Sequence, residues 1–292
     1  MTAIIFDLET TGFGPNAEII QIAAKYHNQE FNVYIFPSNS IPTIVSNITN
    51  LSIEDGQLIL DSENEYRRLD TESPRMACEL FISFLKNISH DIILVAHNGE
   101  RFDAPLIVKT MNAVGLLKEF GSIVKGFTDS LSIFKDRKEL AFRKKKGKGG
   151  FSLSALANDY LEPDSTRGAH NAVVDVQMLD NLLKKFAIKE TELISCVVPF
   201  SSIVNADRIR KEKEEKKNAM FVIMEPFGIS KNMIKKIVTA GLTLDQLEMT
   251  FNDYGEDGIT MLLGEDVDGN PRVTKNKTIL RKLCNALRTR LG

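Results

Sequence analysis

The first forty residues carry short apolar runs of the kind that form β-strands. Residues 3–8 are apolar up to a polar end, and residues 18–27 and 30–37 are two further runs rich in β-branched side chains. The connection at 27–29 is short enough for a hairpin between the last two runs. The pattern therefore predicts three strands, of which the second and third are neighbours.

Beyond residue 70 the apolar spacing becomes helical in places. We predict a helix from Pro74 to about Ile88. Its apolar stripe is expected at four-residue spacing, on Met76, Leu80, Phe84 and Ile88. The elements predicted after it are strand 92–96, helix 104–114 ending at Gly115, strand 123–128, a short helix after Asp129, and helices 152–161 and 171–187. Three strands followed by helices that alternate with strands predict one α/β domain, residues 1–188.

Two further segments follow this domain. Residues 189–217 are predicted to be a charged linker or helix, because 208–217 hold six basic and three acidic side chains. Residues 218–292 have helical apolar spacing, with Ser230 and Thr243 as predicted helix caps. We expect this last segment to form a smaller, mainly helical domain, whose role is open: it could bind a protein partner or the substrate, or self-associate.

Composition and charge narrow the class of protein. The 292 residues carry 37 Lys and Arg against 39 Asp and Glu, so a nucleic-acid partner would have to be held by a local basic patch. The longest strongly apolar runs have about five residues where a membrane helix needs about 20, and no secretory signal is visible. The cysteines Cys78, Cys196 and Cys284 form no metal motif and are expected to be buried thiols. The sequence thus predicts an intracellular protein of the nucleus or cytoplasm, neither secreted nor bound in a membrane.

A local basic patch is present at residues 137–148. Its basic residues are Arg137, Lys138, Arg143, Lys144, Lys145, Lys146 and Lys148, against Glu139 alone. Two glycines follow, so we expect a mobile basic loop. Two interpretations stay open: a solvated loop without a partner, or a loop whose lysines contact the phosphates of a single strand.

Two acids lie at the end of a predicted strand, and a third lies just before a predicted helix. Asp7 and Glu9 are two residues apart on the first strand, so their carboxylates lie on one face. Asp103 follows strand 92–96 and precedes a helix. Alone, each has a plain structural interpretation, because acids at strand ends are commonly solvated and an Asp before a helix is a good N-cap.

A fourth acid and a histidine accompany the helix predicted from residue 171. Asp175 lies on or beside its apolar face, where a carboxylate is costly unless it is paired or bound to a metal. His170 lies just outside the helix and, alone, has a structural interpretation. Four carboxylates have a reason to converge if they bind hard divalent cations, because Mg²⁺ prefers oxygen ligands and two such ions clamp a phosphodiester. A histidine beside them can take a proton from the attacking water.

Three motifs in order resemble those of the DEDDh family of 3′→5′ exonucleases. Phe6–Gly12 resembles the first motif, His97–Asp103 the second, and His170–Asp175 has the H-x₄-D spacing of the third. The similarity covers residues 1–188 and includes stand-alone DNA-trimming members and the exonuclease-like region of a promyelocytic leukaemia protein isoform. It implies a ribonuclease H-like fold, which is a mixed sheet flanked by helices.

The resemblance also implies roles for individual residues. The metal ligands, for two Mg²⁺ ions that Mn²⁺ could replace, fall on Asp7, Glu9, Asp103 and Asp175. The general base falls on His170. Leu8 and Thr10 would hold the terminal nucleotide, and Asn98 would steady the second-motif loop. The stretch Gly99–Arg101 departs from the family pattern, which leaves the substrate contacts there open.

The sequence therefore predicts a metal-dependent 3′→5′ exonuclease that releases nucleoside 5′-monophosphates from single-stranded nucleic acid. DNA is favoured over RNA as the substrate, on the resemblance alone. Lys144, Lys145, Lys146 and Lys148 are the predicted contacts to the strand. The alternatives are a nucleic-acid-binding or scaffolding protein that uses a nuclease fold for docking, an RNA-trimming exoribonuclease, and a nuclease that cuts internally.

Overall fold

A computed structural model of the chain describes residues 1–12, 16–62, 65–147 and 149–291. The chain divides into two compact units, Met1–Asn205 and Ala206–Gly292. None of the described helices combines the length and the apolar composition that crossing a membrane requires.

Seven strands of the first unit form one mixed sheet. The strands of this unit are β1 (Thr2–Thr10), β2 (Ile19–Tyr26), β3 (Gln29–Ile35), β4 (Leu51–Glu54), β5 (Gln57–Ser62), β6 (Glu65–Arg68), β7 (Thr71–Glu72), β8 (Ile92–Ala96), β9 (Val124–Asp129) and β10 (Val198–Pro199). The large sheet has the order β10-β9-β8-β1-β2-β3-β7, and β4-β5-β6 form a second, small sheet. Strand β1 lies near the middle, antiparallel to β2 and parallel to β8. The predicted hairpin is confirmed, because β2 and β3 are antiparallel and pair up to Tyr26 and Gln29.

Helices cover both faces of the large sheet. They are α1 (Thr43–Thr49), α2 (Pro74–Ile88), α3 (Asp103–Ala113), α4 (Leu117–Ile123), α5 (Ser130–Asp136), α6 (Leu153–Tyr160), α7 (Ala172–Lys185), α8 (Glu190–Ser195) and α9 (Phe200–Met224), which begins in this unit. Buried side chains of α2, α3 and α4 pack with Ile4, Phe6 and Leu8 of β1 on one face. Those of α5, α6 and α7 pack with Ile5 on the other. The predicted α/β fold, a ribonuclease H-like mixed sheet flanked by helices, is confirmed.

The bounds of α2 are those predicted, but its predicted inner face is wrong for two of four residues: Phe84 and Ile88 pack against the core, and Met76 and Leu80 do not. Met76 and Leu80 are 44% and 42% exposed. The buried residues are Ala77, Cys78, Phe81, Ile82 and Leu85. A four-residue spacing advances about 40° around a helix of 3.6 residues per turn, so four such positions cannot all face one core. The adjacent pairs 77–78 and 81–82 keep the stripe centred on the sheet.

The cysteines only partly match expectation. Cys78 in α2 and Cys284 in the second unit are buried. Cys196 is exposed, because it caps the carboxyl end of the short helix α8 rather than lying on a packed face.

The second unit is helical around its own apolar core. Its elements after α9 are α10 (Lys231–Thr239), α11 (Leu244–Gly264), the hairpin β11 (Asp266–Val267) and β12 (Asn270–Pro271), and α12 (Lys277–Leu291). Both predicted caps are confirmed: Ser230 accepts a hydrogen bond from the Met233 amide, and Thr243 forms a capping box with Gln246. Helix α11 is interrupted at Gly255, which has a φ of 62°.

Candidate active site

Strand β1 places two carboxylates on the sheet face that carries α7. Side chains alternate along β1, so Ile4, Phe6 and Leu8 enter one core while Asp7 and Glu9 share the opposite face with Ile5. The register of β1 against β2 shifts between Glu9 and Thr10, and the strand ends there. The two acids therefore lie at the last regular positions of a central strand.

Helix α7 brings the third carboxylate against them. Asn171 is its N-cap, and its side-chain oxygen accepts from the Val173 amide. Asp175 follows in the first turn, and the His170 amide donates to its Oδ1 at 3.2 Å. Oxygen atoms of Asp7, Glu9 and Asp175 lie within 4.8 Å of one another, which is the spacing of ligands around one cation.

Asp103 adds a fourth carboxylate that is almost fully buried. It is 2% exposed, and its Oδ1 has no hydrogen-bond partner among the described residues. The alternative role as an N-cap is wrong, because Asp103 is the first residue of α3 and Phe102 occupies the cap position without a side-chain bond. A buried carboxylate oxygen left unpaired in the protein is a position where a cation would be favourable.

The four carboxyl groups share a strongly perturbed environment. Burial, and then the charge of Asp103, holds the pKa of Asp7 well above its usual range. Burial and the charge of Asp175 raise the pKa of Glu9 to about 9. Burial raises the pKa of Asp103 to about 8, although the Leu8 amide donates to it. Burial raises the pKa of Asp175 only to about 6, because His170 favours its charged form.

These properties fit a site for divalent cations. With pKa values raised this far, Asp7, Glu9 and Asp103 hold protons at neutral pH unless positive charge replaces those protons. Asp7, Glu9 and Asp175 present converging oxygens, and Asp103 contributes an oxygen that has no partner in the described part of the chain. An all-oxygen donor set suits a hard cation such as Mg²⁺ or Mn²⁺.

His170 stands at the edge of this cluster. It is exposed, and its φ of 67° places the backbone in the left-handed region between Gly168 and the start of α7. This conformation aims its amide at Asp175 and leaves the ring accessible from solvent.

The other predicted substrate residues are in different surroundings. The Leu8 side chain is buried in the core on the face opposite the acids. The Thr10 hydroxyl is buried and donates to the Gly12 carbonyl at 2.9 Å. Asn98 is exposed with a φ of 63°, and its amide donates to Asp129 at 2.8 Å. Of Leu8, Thr10 and Asn98, only Asn98 has an exposed side chain.

The loop of the second motif is anchored at two points. His97 bridges Ser130 at 3.0 Å and the Phe151 carbonyl at 2.7 Å through its two ring nitrogens. Burial lowers the pKa of His97. A Cβ on Gly99 would come within 2.6 Å of the Ala96 Cβ, so the tight turn into α3 requires glycine.

The expected mobile basic loop is wrong for most of its length. Residues Lys138–Lys146 form a 3₁₀ helix, and Arg143 is 1% exposed. Its guanidinium donates to the carbonyls of Gly150 and Ala155 and pairs with Asp159. Local sequence could not show this, because Arg143 contacts residues up to 16 positions away, which only the fold brings close.

Of the four predicted lysine contacts, the structure describes the side chain of one. Lys144 is exposed. Lys148 and the side chains of Lys145 and Lys146 lie outside the described part of the chain.

A groove of about 970 Å³ opens beside the end of β1. Thr11 and Gly12 form one border, directly after the acids of β1. Helix α1 forms another, with the exposed aliphatic side chains of Ile44 and Ile48. The groove therefore lies where a chain leading to the acids could rest.

Gln21 is a site residue that the sequence reasoning missed. It is fully buried on β2, directly opposite Glu9 in the strand register. Its amide contacts the start of α7, accepting from the Ala172 amide at 3.1 Å and donating to Asn171 Oδ1 at 3.2 Å. The available signal was one polar residue in the isoleucine-rich run of β2.

Comparison with known proteins gives two family matches. Residues 1–149 match the model described as Exuperantia RNAse H-like domain. Residues 228–290 match the model described as PML, C-terminal domain.

Curated relatives are similar at moderate identity. DNA polymerase III PolC-type of Ureaplasma parvum serovar 3 is 28% identical over 217 residues, covering 70% of this chain and 13% of that protein. The maternal protein exuperantia of Drosophila melanogaster is 28% identical over 138 residues, which cover 44% of this chain and 26% of that protein. The exuperantia protein of Drosophila virilis is 24% identical over 240 residues, which cover 77% of this chain and 49% of that protein. The chain spans less than half the length of each of these relatives.

Among solved structures, E. coli exonuclease I in complex with a dT13 oligonucleotide has 16% sequence identity and a TM-score of 0.48. The match covers 66% of this chain and 42% of that chain. The RNAse H-like model and the PolC-type relative agree with the resemblance to DEDDh exonucleases, which is confirmed. Because the matching model covers residues 1–149 of 292, the chain belongs to the Exuperantia RNAse H-like domain family.

Proposed function

We propose that the chain is a divalent-metal-dependent 3′→5′ exonuclease that releases nucleoside 5′-monophosphates. The observation that carries the proposal is the acid cluster. Oxygens of Asp7, Glu9 and Asp175 converge, and Asp103 adds a buried Oδ1 that no described residue hydrogen-bonds. When bound there, divalent cations neutralise charge on the phosphodiester and acidify the attacking water.

The residues of the chain have separate tasks in this reaction. The four acids hold two cations in place. His170, accessible at the edge of the cluster, accepts the proton of the attacking water at a ring nitrogen. The groove beside β1 receives the 3′ end of the strand, and Ile44 and Ile48 offer apolar surface to a base. Lys144 and its neighbouring lysines contact phosphates further along the strand.

Single-stranded DNA is the substrate that we propose. A curated relative at 28% identity is named as a DNA polymerase, which favours DNA over RNA. The groove borders on exposed apolar side chains, which suit unpaired bases with accessible faces. Residues 218–292 are proposed to bind a protein partner or to self-associate.

A degradation assay with end-labelled oligonucleotides tests the proposal. Matched single- and double-stranded DNA and RNA carry a 5′ label, and Mg²⁺ or EDTA is added to the full chain. We expect a ladder of products shortened from the 3′ end, fastest on single-stranded DNA and absent with EDTA. Asp7→Asn should be inactive, while Asp180→Asn, on α7 but paired with Lys184 rather than with the acid cluster, should be active.

Other outcomes would identify the alternatives. Cleavage of a circular or 3′-blocked strand would indicate an internal-cutting nuclease. Faster degradation of RNA would indicate an exoribonuclease. Strand binding without any hydrolysis in Mg²⁺ or Mn²⁺ would refute the enzymatic proposal and favour a docking role.

A further inference from the structure

The side-chain amide of Gln21 links strands β2 and β3 to the start of α7. Its Nε2 donates to Asn32 Oδ1 at 2.9 Å and to Asn171 Oδ1 at 3.2 Å, and its Oε1 accepts from the Ala172 amide at 3.1 Å. The acceptor and both donor hydrogens of this fully buried side chain are therefore satisfied. Two of the three bonds join β2 to the first turn of α7.

The first turn of α7 is the segment that carries the third motif. Its terminal amides need partners, and Gln21 supplies one from outside the helix. Asn171 extends the link, because its Nδ2 donates to the Tyr34 hydroxyl at 3.3 Å. Three strand residues thus fix where α7 begins, and Asp175 lies one turn further along.

The link opposes a repulsion that acts between the same elements. Glu9 is the cross-strand neighbour of Gln21, and carboxylate oxygens of Glu9 and Asp175 lie within 4.8 Å of each other across the gap between β1 and α7. Two carboxylates at this distance repel each other whenever both are ionised. Without a tether, that repulsion favours moving the start of α7 away from the sheet. Neutral hydrogen bonds are suited to this task, since they add no charge to the acid cluster.

We propose that Gln21 is a positioning residue that holds Asp175 and His170 at the metal-binding distance from β1. The inference rests on the proposed function. Gln21 itself contacts neither cation nor substrate; it acts through the position of α7. Losing it should loosen the cation site and slow the reaction while the sheet and its cores persist.

Two variants of the full chain separate positioning from folding. Gln21→Leu removes all three bonds at similar volume. Asn171→Ser keeps a side chain that caps α7 but cuts the bonds to Gln21 and Tyr34, so it serves if the leucine variant fails to fold. Gln177→Leu is the matched control, because Gln177 also links α7 to the sheet, through an exposed 3.5 Å contact with Glu30 one half-turn beyond Asp175.

The primary readout is Mn²⁺ binding by titration calorimetry, without substrate. We expect Gln21→Leu to bind Mn²⁺ roughly 10–100-fold more weakly, the usual effect of losing a group that orients ligands. Asn171→Ser should fall between it and the wild type, and Gln177→Leu should match the wild type. With oligonucleotide, kcat should fall and KM should not, and raised Mn²⁺ should restore part of kcat.

The outcomes separate this inference from the proposed function. Wild-type Mn²⁺ affinity in both Gln21→Leu and Asn171→Ser would overturn the positioning role, whatever the activity. Equal weakening of Mn²⁺ binding by Gln177→Leu would also overturn the positioning role of Gln21, because any contact between α7 and the sheet would then have the same effect. A wild type that binds Mn²⁺ but cleaves nothing would refute the proposed function alone, and the binding series would still decide the role of Gln21.

Discussion

Replacing Asp175 by asparagine should stabilise the metal-free protein and abolish its response to metal. Asparagine has the same shape, and its Oδ1 can still accept from the His170 amide. What changes is the charge. Burial raises the pKa of Asp175 to about 6 from an ordinary value of 3.8, so its ionised form is disfavoured in the folded state.

The size and sign of the effect follow from proton linkage. Between pH 3.8 and about 6 the folded protein holds more protons at Asp175 than the unfolded chain does, so stability falls as pH rises through this window. Above it the loss is complete, at about 3 kcal/mol for a difference of about two pH units. Asparagine avoids this loss. For a unit of this size, 1 kcal/mol shifts Tm by about 2–4 °C, so the gain is about 6–12 °C.

The change in Tm is measured by thermal unfolding of the variant and the wild type. The conditions are EDTA at pH 4 and pH 8, and Mg²⁺ at pH 8. The variant should match the wild type near pH 4 and exceed it at pH 8 in EDTA. In Mg²⁺ the difference in Tm between variant and wild type should shrink or change sign, because cation binding stabilises the wild type more than the variant. Asp180→Asn, on the same helix in a pair with the exposed Lys184, should stay within about 0.5 kcal/mol throughout. A metal-free variant that is no more stable than the wild type at pH 8 would refute the electrostatic reasoning.

Three further predictions concern the base, the basic segment and the core. His170→Ala should bind Mn²⁺ normally yet lose roughly 10²–10⁴-fold in single-turnover rate, and a wild-type rate would show that another group takes the proton. Changing four lysines to alanine should reduce the slope of log binding constant against log salt concentration by at most about 0.7 per lost phosphate contact. An unchanged slope would favour the alternative that this segment is solvated and has no nucleic-acid partner. The lysines are Lys144, Lys145, Lys146 and Lys148. Phe81→Ala should lower the free energy of unfolding, measured with denaturant, by about 3–5 kcal/mol, and Leu80→Ala should lower it by about 0.5 kcal/mol. Equal losses in the two variants would contradict the observed inner face of α2.

The sequence predicted the central strands and α7 because their signals are local. Strand β1 is apolar up to Asp7, and α7 has a cap and an apolar stripe within its own span. The small sheet was not anticipated, because β6 is exposed at every position and exists as a strand only through its pairing with β5. Tertiary pairing rather than local preference creates such a strand.

Within the site, residue identity was more predictable than residue environment. Asp7, Glu9 and Asp175 were expected together, and the structure gathers them. The contacts of Gln21 and Arg143 could not be predicted, because each depends on partners brought close only by the fold. Polar residues that position other residues cannot be recognised from a hydrophobic pattern, whereas polar residues that end an apolar strand can.

The energetics of the acid cluster bear on the choice between an enzyme and a docking protein. Without a cation, the raised pKa values of Glu9 and Asp103 mean that ionising these groups costs folding stability at neutral pH. A surface used only for docking gains nothing from that cost, and amides of the same shape would remove it. A cation site does gain, because the same proximity that raises the pKa values concentrates negative charge on an incoming ion. Among the described residues the buried Oδ1 of Asp103 has no hydrogen-bond partner, and a bound cation gives that oxygen a physical role that docking does not.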